Sequence, residues 1–443
     1  MKYRKILPAL LSALYIGAFT ACGGSSAMSE NDIALVESIA ESVAEAKAAE
    51  VAESVAESVA AANAGGTAQA KTDSSTSPTE AAETGNATQS TEAANAGNAA
   101  QSTGAANAGN AAQSGQSANA GNAAQSAEAA NTGSTAQSAT NGFAKEHGAL
   151  RLDGTKLVDQ NGNPIQLYGM STHGIAWFPD YVGYNTFQTL RDDWKTNCVR
   201  IAMYTHEYGG YCSGGDQKSL KSLVKTGVDA ATDLGMYVII DWHVLQEQDP
   251  NVYKTQAIDF FKEMSETYAD HTNVLYEICN EPNGYATWDS VKSYAEEVIP
   301  VIRANDPDAI VIVGTPTWSQ DIDKAKEKPL DFDNVMYAMH FYAGTHKDVL
   351  WNRLDSCVQN GLPVFISEFG MCDASGSGGN DFNSTKSWFD VIERYNLSFC
   401  CWNLANKNET SSVISPSCSK LSDWSEDELS ESGKWIRNYF RNK

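Results

Sequence analysis

After residue 143 the chain alternates a short apolar run with an amphipathic stretch eight times, and few architectures accept that rhythm. The runs are IQLYGM (165–170), CVRIAMY (198–204), YVIIDWH (237–243), VLYEICNE (274–281), IVIVGT (310–315), VMYAMHFY (335–342), PVFISEF (363–369) and SFCCWN (398–403). Between them lie segments such as QAIDFFKEMSETYA (256–269) and WDSVKSYAEEVIPVIRA (288–304), whose apolar residues recur at helical spacing. Strands that are apolar on both faces and separated by helices belong to a parallel sheet covered by helices. Eight such units within residues 143–443 fit a single α/β domain, a closed (β/α)8 TIM barrel. An open doubly wound sheet is the alternative, but its GxGxxG turn after the first strand is missing.

The segment before residue 143 has a different composition. Residues 1–21 read as a signal peptide, with Lys2, Arg4 and Lys5 ahead of an apolar stretch too short for a comfortable membrane span. It ends in FTAC, which resembles a bacterial lipoprotein signal with Cys22 as the lipidated residue, although Phe19 stands where that pattern has leucine. Ordinary secretion with cleavage nearby is the alternative. Both place the protein outside the cytoplasm, either lipid-anchored at the cell surface or secreted. Residues 22–142 read as a low-complexity tether. Valine and isoleucine at helix-compatible spacing in 31–60 suggest a short helix, and 79–138 hold five copies of a twelve-residue unit such as TEAANAGNAAQS. These repeats offer only alanine as apolar surface, too little to offset backbone ordering, so a disordered linker is expected. Its 60 or so residues would reach roughly 40–47 Å.

The net charge is −24, of which −8 falls in 1–142 and −16 in the rest. An acidic domain repels phosphate backbones, so nucleic acid is not an expected partner. Beyond Cys22 there are eight cysteines, several inside apolar runs where thiols pack as small core residues. No CxxC pair and no calcium-loop spacing occurs, so no metal and no cofactor is expected. A monomer is expected.

The polar residues of the strands collect in one place. Arg200, His243, Glu281, His340, Tyr342, Glu368 and Trp402 lie within or at the C-terminal ends of six different runs. In a barrel those ends converge on the face where active sites are built. Glu281 and Glu368 end the fourth and seventh runs, so their carboxyl groups can meet across the mouth. Two facing carboxyls are the minimal equipment for cleaving a glycosidic bond, one giving a proton and the other attacking the anomeric carbon. Arg200 is placed to keep one of them charged. Asn280 offers an amide beside Glu281, and Pro282 ends the ladder there.

NEP on the fourth run, SEFG on the seventh, DWH on the third and HFY on the sixth resemble glycoside hydrolase family 5, close to its bacterial endo-β-1,4-glucanase (cellulase) branch. GMSTHGIAWFP (169–179), VRIAMYT (199–205), GTPTWSQD (314–321) and CWNLANKNETSSVI (401–414) extend the likeness over 149–442. The resemblance implies Glu281 as general acid/base and Glu368 as nucleophile in a retaining mechanism. It implies Arg200 and Tyr342 against the nucleophile, His340 near the acid/base, and His243 and Asn280 on sugar hydroxyls. Trp402 would floor the sugar. His173, Trp177, Tyr204 and Trp318 match platform positions, and Lys407 and Glu409 match sugar contacts after the eighth strand. Trp194, Trp288 and Trp388 are expected to pack in the core. The implied substrate is a β-glucan; mannan, xylan or mixed-linkage glucan cleavage remains open, as does a non-hydrolytic polysaccharide-binding lipoprotein.

Overall fold

The computed structural model describes residues 142–443. The signal segment, Cys22, the 31–60 helix and the 79–138 repeats lie outside the described residues. A short helix, α1 (Phe143–His147), leads into an antiparallel hairpin of β1 (Arg151–Asp153) and β2 (Lys156–Val158). Eight parallel strands then close a barrel: β3 (Tyr168–Thr172), β4 (Cys198–Tyr204), β5 (Tyr237–His243), β6 (Val274–Glu277), β7 (Val311–Val313), β8 (Val335–Tyr342), β9 (Val364–Gly370) and β10 (Phe399–Leu404). They follow one another round the ring in chain order, and β10 pairs with β3.

The helices between them are α2 (Tyr184–Asp192), α3 (Gln217–Leu234), α4 (Lys254–Thr267), α5 (Trp288–Arg303), α6 (Ile322–Glu327), α7 (Asp348–Gln359) and α8 (Phe382–Tyr395), with α9 (Glu431–Arg441) after the last strand. Sequence sets their ends. The Asp216 carboxylate accepts from the Lys218 and Ser219 amides at the start of α3, and a Thr287–Ser290 capping box opens α5. Outward-facing strand residues pack on the apolar helix faces, and Trp194, Trp288 and Trp388 are buried there as core, as expected.

The barrel interior is divided by height. Its lower part is apolar: Ile239, Leu275, Ile312, Met336 and Phe365 form one cluster with Ala144, Leu150, Leu157, Ile165 and Leu167. The N-terminal helix and hairpin therefore plug the bottom. This explains why the first barrel strand starts at Tyr168 rather than at Ile165. The Ile165 amide donates to Leu157 O, and Ile165 and Leu167 belong to the plug.

The fourth strand also differs from its expected span, ending at Glu277 rather than Glu281. The Asn280 and Glu281 amides leave the ladder and donate to Trp242 O and Val244 O. Gly314 permits that path, because a Cβ there would sit 2.3 Å from the Cys279 carbonyl oxygen. All eight cysteines among the described residues are free thiols, seven of them buried.

Candidate active site

The upper barrel interior holds an ionic network in place of an apolar core. Arg200 is fully buried at the third position of β4. Its Nε donates to Glu277 Oε2 at 2.7 Å, one terminal nitrogen to Asn280 Oδ1 at 2.6 Å, and the other to Glu368 Oε2 at 3.2 Å. Asp241 Oδ2 lies 3.0 Å away as well. A guanidinium can bridge so many acceptors because its donors fan out in a plane. The barrel register makes the cluster: Asp241 pairs with Glu277 across β5 and β6, and His340 with Glu368 across β8 and β9.

Glu368 stands at the top of β9 and is 4% exposed. Arg200 and the Tyr342 hydroxyl, at 2.8 Å, both donate to it. Glu281 faces it across the mouth, with Oε1 3.0 Å from His340 Nδ1. Donor atoms of Glu281, His340 and Glu368 all lie within 4.8 Å of one another, and these three are the one such His/Cys/Asp/Glu cluster among the described residues. A carboxyl separation of about 5–5.5 Å is the spacing of a retaining pair, against about 6.5–9.5 Å for an inverting one.

Burial, then the facing Glu281 carboxyl, raises Glu368 to about 7, against His340, Arg200 and Tyr342. For Glu277 burial also disfavours charge, but Arg200 and His340 outweigh it and hold this carboxyl at about 2. Burial lowers His340 too, yet the carboxylates on either side, Glu277 and Glu281, bring it up to about 9. Its Nε2 meets the Ser367 hydroxyl at 2.8 Å, which in turn donates to Glu277 at 2.7 Å. His243 is held neutral, well below its ordinary value, by burial and then by Arg200. Its Nδ1 donates to Asp241 at 2.6 Å, leaving Nε2 to accept from the Asn280 amide at 3.2 Å.

These shifts have signs that a pH series reads. The Glu277 contribution is complete above 4.5 and disappears as pH falls through about 2. The His340 contribution is complete below 6.5 and disappears as pH rises through about 9; the cost of ionising Glu368 develops between 4.5 and about 7. Thermal midpoints are expected to be highest near pH 4.5 and to decline towards pH 9. In His340→Gln the loss between pH 6.5 and 9 should flatten, and an unchanged alkaline slope would reject this assignment.

An aromatic wall surrounds the pair. Trp402 is 6% exposed at the top of β10 and stacks on His243, with centroids 5.3 Å apart at 17°. His173 lies 5.2 Å from Trp402, and Tyr204 4.0 Å from His243. Trp177 follows, 4.6 Å from Tyr204 and 5.7 Å from His173. A side chain at Gly174 would strike the Trp177 and Tyr204 rings, so this close approach needs glycine. Past β10, Glu409 accepts from Asn403 at 2.7 Å and Ser411 at 2.8 Å, and Lys407 Nζ meets it at 2.8 Å. Against burial, Lys407 and His173 keep the Glu409 carboxyl below its usual range.

Trp318 lies on the loop after β7. It is half-buried in a turn where Thr317, Trp318 and Ser319 all have φ between 53° and 58°. Three consecutive left-handed non-glycine residues are strained, and such strain gathers at ligand sites. The turn is tied to the Asn280–Pro282 segment: the Trp318 amide donates to Pro282 O at 3.0 Å and the Ser319 hydroxyl to Asn280 O at 2.6 Å.

Thirteen of the fourteen residues singled out from the sequence between His173 and Glu409 thus lie at the C-terminal mouth of the barrel or on its loops, and Arg200 lies beneath them in the barrel interior. Asn280 differs in one respect from the expectation that it holds a sugar. Its oxygen takes an Arg200 hydrogen and its nitrogen donates to His243 and to Val244 O, so its first partners are protein groups; His243 differs likewise, with Nδ1 on Asp241 and Nε2 on Asn280. Asp241, Glu277 and Ser367 were not singled out. The signal was present in the first two, since a carboxylate inside an otherwise apolar strand must be paired.

With this geometry in view, comparison with known proteins is direct. Residues 158–408 match the model for cellulase (glycosyl hydrolase family 5). The chain is 52% identical over 295 residues to endoglucanase A of Butyrivibrio fibrisolvens, covering 66% of this chain and 68% of that one. It is 50% identical over 282 residues to endoglucanase A of Evansella cellulosilytica, covering 63% and 57%. The chain thus spans between about half and two thirds of the length of these relatives. Among solved structures, the catalytic domain of a Thermobifida fusca endoglucanase in complex with cellotetraose superposes with a TM-score of 0.65 at 38% identity, covering 67% of this chain and 99% of that one. The chain belongs to the cellulase family, glycosyl hydrolase family 5, within its bacterial endoglucanase branch.

Proposed function

We propose that the protein is a retaining endo-β-1,4-glucanase whose nucleophile is Glu368 and whose acid/base is Glu281. The observation that carries this is the placement of an oxygen of each carboxyl within 4.8 Å of the other over one aromatic-walled mouth. That leaves room for one anomeric carbon and its leaving oxygen, but not for a water molecule between acid and base. In the first step Glu281 gives its proton to the glycosidic oxygen while Glu368 attacks the anomeric carbon. The bond to the leaving chain breaks and an ester to Glu368 forms. In the second step Glu281 takes a proton from water, which attacks the same carbon and releases Glu368.

The supporting groups have separate tasks. Arg200 and Tyr342 donate to the two oxygens of Glu368 and favour its charged form as the reaction begins. His340 orients Glu281, with Ser367 and Glu277 behind it. Trp402 offers an apolar face to the C–H face of the sugar, and Lys407 and Glu409 present polar edges to its hydroxyls.

The test is reducing-sugar release from soluble carboxymethyl-cellulose, mannan, xylan and mixed-linkage glucan. Fastest turnover on the cellulose derivative, with a rapid fall in viscosity, is expected. Turnover on mannan or xylan alone would reject the substrate assignment. We further propose that Cys22 carries a lipid that holds the enzyme at the cell surface, from the FTAC pattern after an apolar segment. Release of activity into the medium by Cys22→Ala is the expected result, and unchanged cell association would reject it.

A further inference from the structure

We propose that Tyr208 is an outer sugar platform that extends the cleft past Trp177 and makes turnover depend on the length of the glucan chain; this rests on the glucanase reading above. Trp177 packs on Tyr204, which packs on His243 beside Trp402. Trp402 and Tyr204 come first, at 6% and 8% exposed, then Trp177 at 37%, and Tyr208 at 92%. The Trp177 indole nitrogen donates to the Tyr208 carbonyl at 2.9 Å, which sets the Tyr208 backbone beside the most exposed of those three rings.

A lone exposed aromatic is ordinary on a protein surface. The loop beneath this one distinguishes it. The Tyr211 and Cys212 amides return to Tyr204 O and Thr205 O, and the Gly210 amide to Glu207 O at 2.7 Å. Glu207 is itself buried, and its Oε1 accepts from the Gln246 amide in the loop after β5 at 3.0 Å. The Thr205 hydroxyl donates to His243 O at 3.2 Å. A loop so tied fixes the backbone of Tyr208 while leaving its ring uncovered. An uncharged ring with both faces open suits the C–H face of a sugar, and its hydroxyl suits a neighbouring sugar hydroxyl.

Such a platform touches only chains long enough to reach it. It holds ground state and transition state alike, so its loss should raise KM and leave kcat unchanged. The experiment compares kcat and KM for cellotetraose and cellohexaose in wild type, Tyr208→Ala and Tyr208→Phe. For Tyr208→Ala, KM for cellohexaose should rise about 3- to 10-fold, from the worth of one aromatic stacking contact. Values for cellotetraose should stay within about twofold, and Tyr208→Phe should restore most of the cellohexaose affinity. Equal losses on both substrates would mean a structural role and would overturn the proposal, as would no loss on either. Wild-type failure on both oligosaccharides would overturn the glucanase reading and this inference with it. Normal wild-type turnover beside a flat Tyr208→Ala profile would overturn the platform alone.

Discussion

Glu368→Gln is expected to lower kcat on soluble β-glucan by about 10⁴-fold or more, because the group proposed to form the covalent bond is gone. Its nearest carboxylate neighbours cannot replace it: Asp241 and Glu277 lie deeper in the barrel, both fully buried, and Glu281 is the proposed proton donor. The fold should survive. Glutamine has the same shape, and its oxygen can still accept from Arg200 or Tyr342. Burial and Glu281 already oppose charge at this position, bringing the carboxyl to about 7, so a neutral residue is tolerated. Initial rates together with a thermal melt check both halves. Retained turnover within about tenfold of wild type would remove Glu368 from the chemistry, since residues acting as nucleophile cost far more than that.

The largest effect on stability is expected at Arg200. Arg200→Met would leave Asp241, Glu277 and Glu368 around one point with the guanidinium gone and only His340, beside Glu277, as a nearby cation. Breaking a buried ion pair from one side costs about 3–5 kcal/mol, and here three carboxylates lose their partner. Protonation of those carboxyls would relieve part of the loss, so the destabilisation should shrink as pH falls. Arg200→Lys should recover only a fraction, because one ammonium cannot reach Glu277, Asn280 and Glu368 in three directions. Urea unfolding at pH 7 and pH 5 measures this. A loss below about 1 kcal/mol at pH 7, the level of a surface pair, would show that the network is not held by its arginine.

The barrel was legible because apolar runs and helical stretches obey different periodicities over 300 residues. The convergence of Arg200, His243, Glu281, His340, Tyr342, Glu368 and Trp402 followed from the single rule that strand ends share one face. What was less legible depends on contacts between segments distant in sequence. Ile165 and Leu167 look like strand residues, and only the plug formed with Leu150 and Leu157 shows why they are not. The departure of Asn280 and Glu281 from the ladder depends on close approach at Gly314. Asp241 and Glu277 carry no positional signature beyond their misfit in apolar strands. Their importance appears when Arg200 is seen to reach both. Tyr208 looks like any loop aromatic until the Trp177 hydrogen bond ties it to the cleft.

The two-carboxyl geometry makes one demand on the product. Attack by Glu368 and then by water inverts the anomeric carbon twice, so the new reducing end must keep the β configuration of the chain. Proton NMR during the first minutes of hydrolysis resolves the two anomers before they interconvert. The β signal should appear first, with α growing only as mutarotation proceeds. If α appears first, Glu368 does not form the covalent bond and the roles given to residues 281 and 368 fall together.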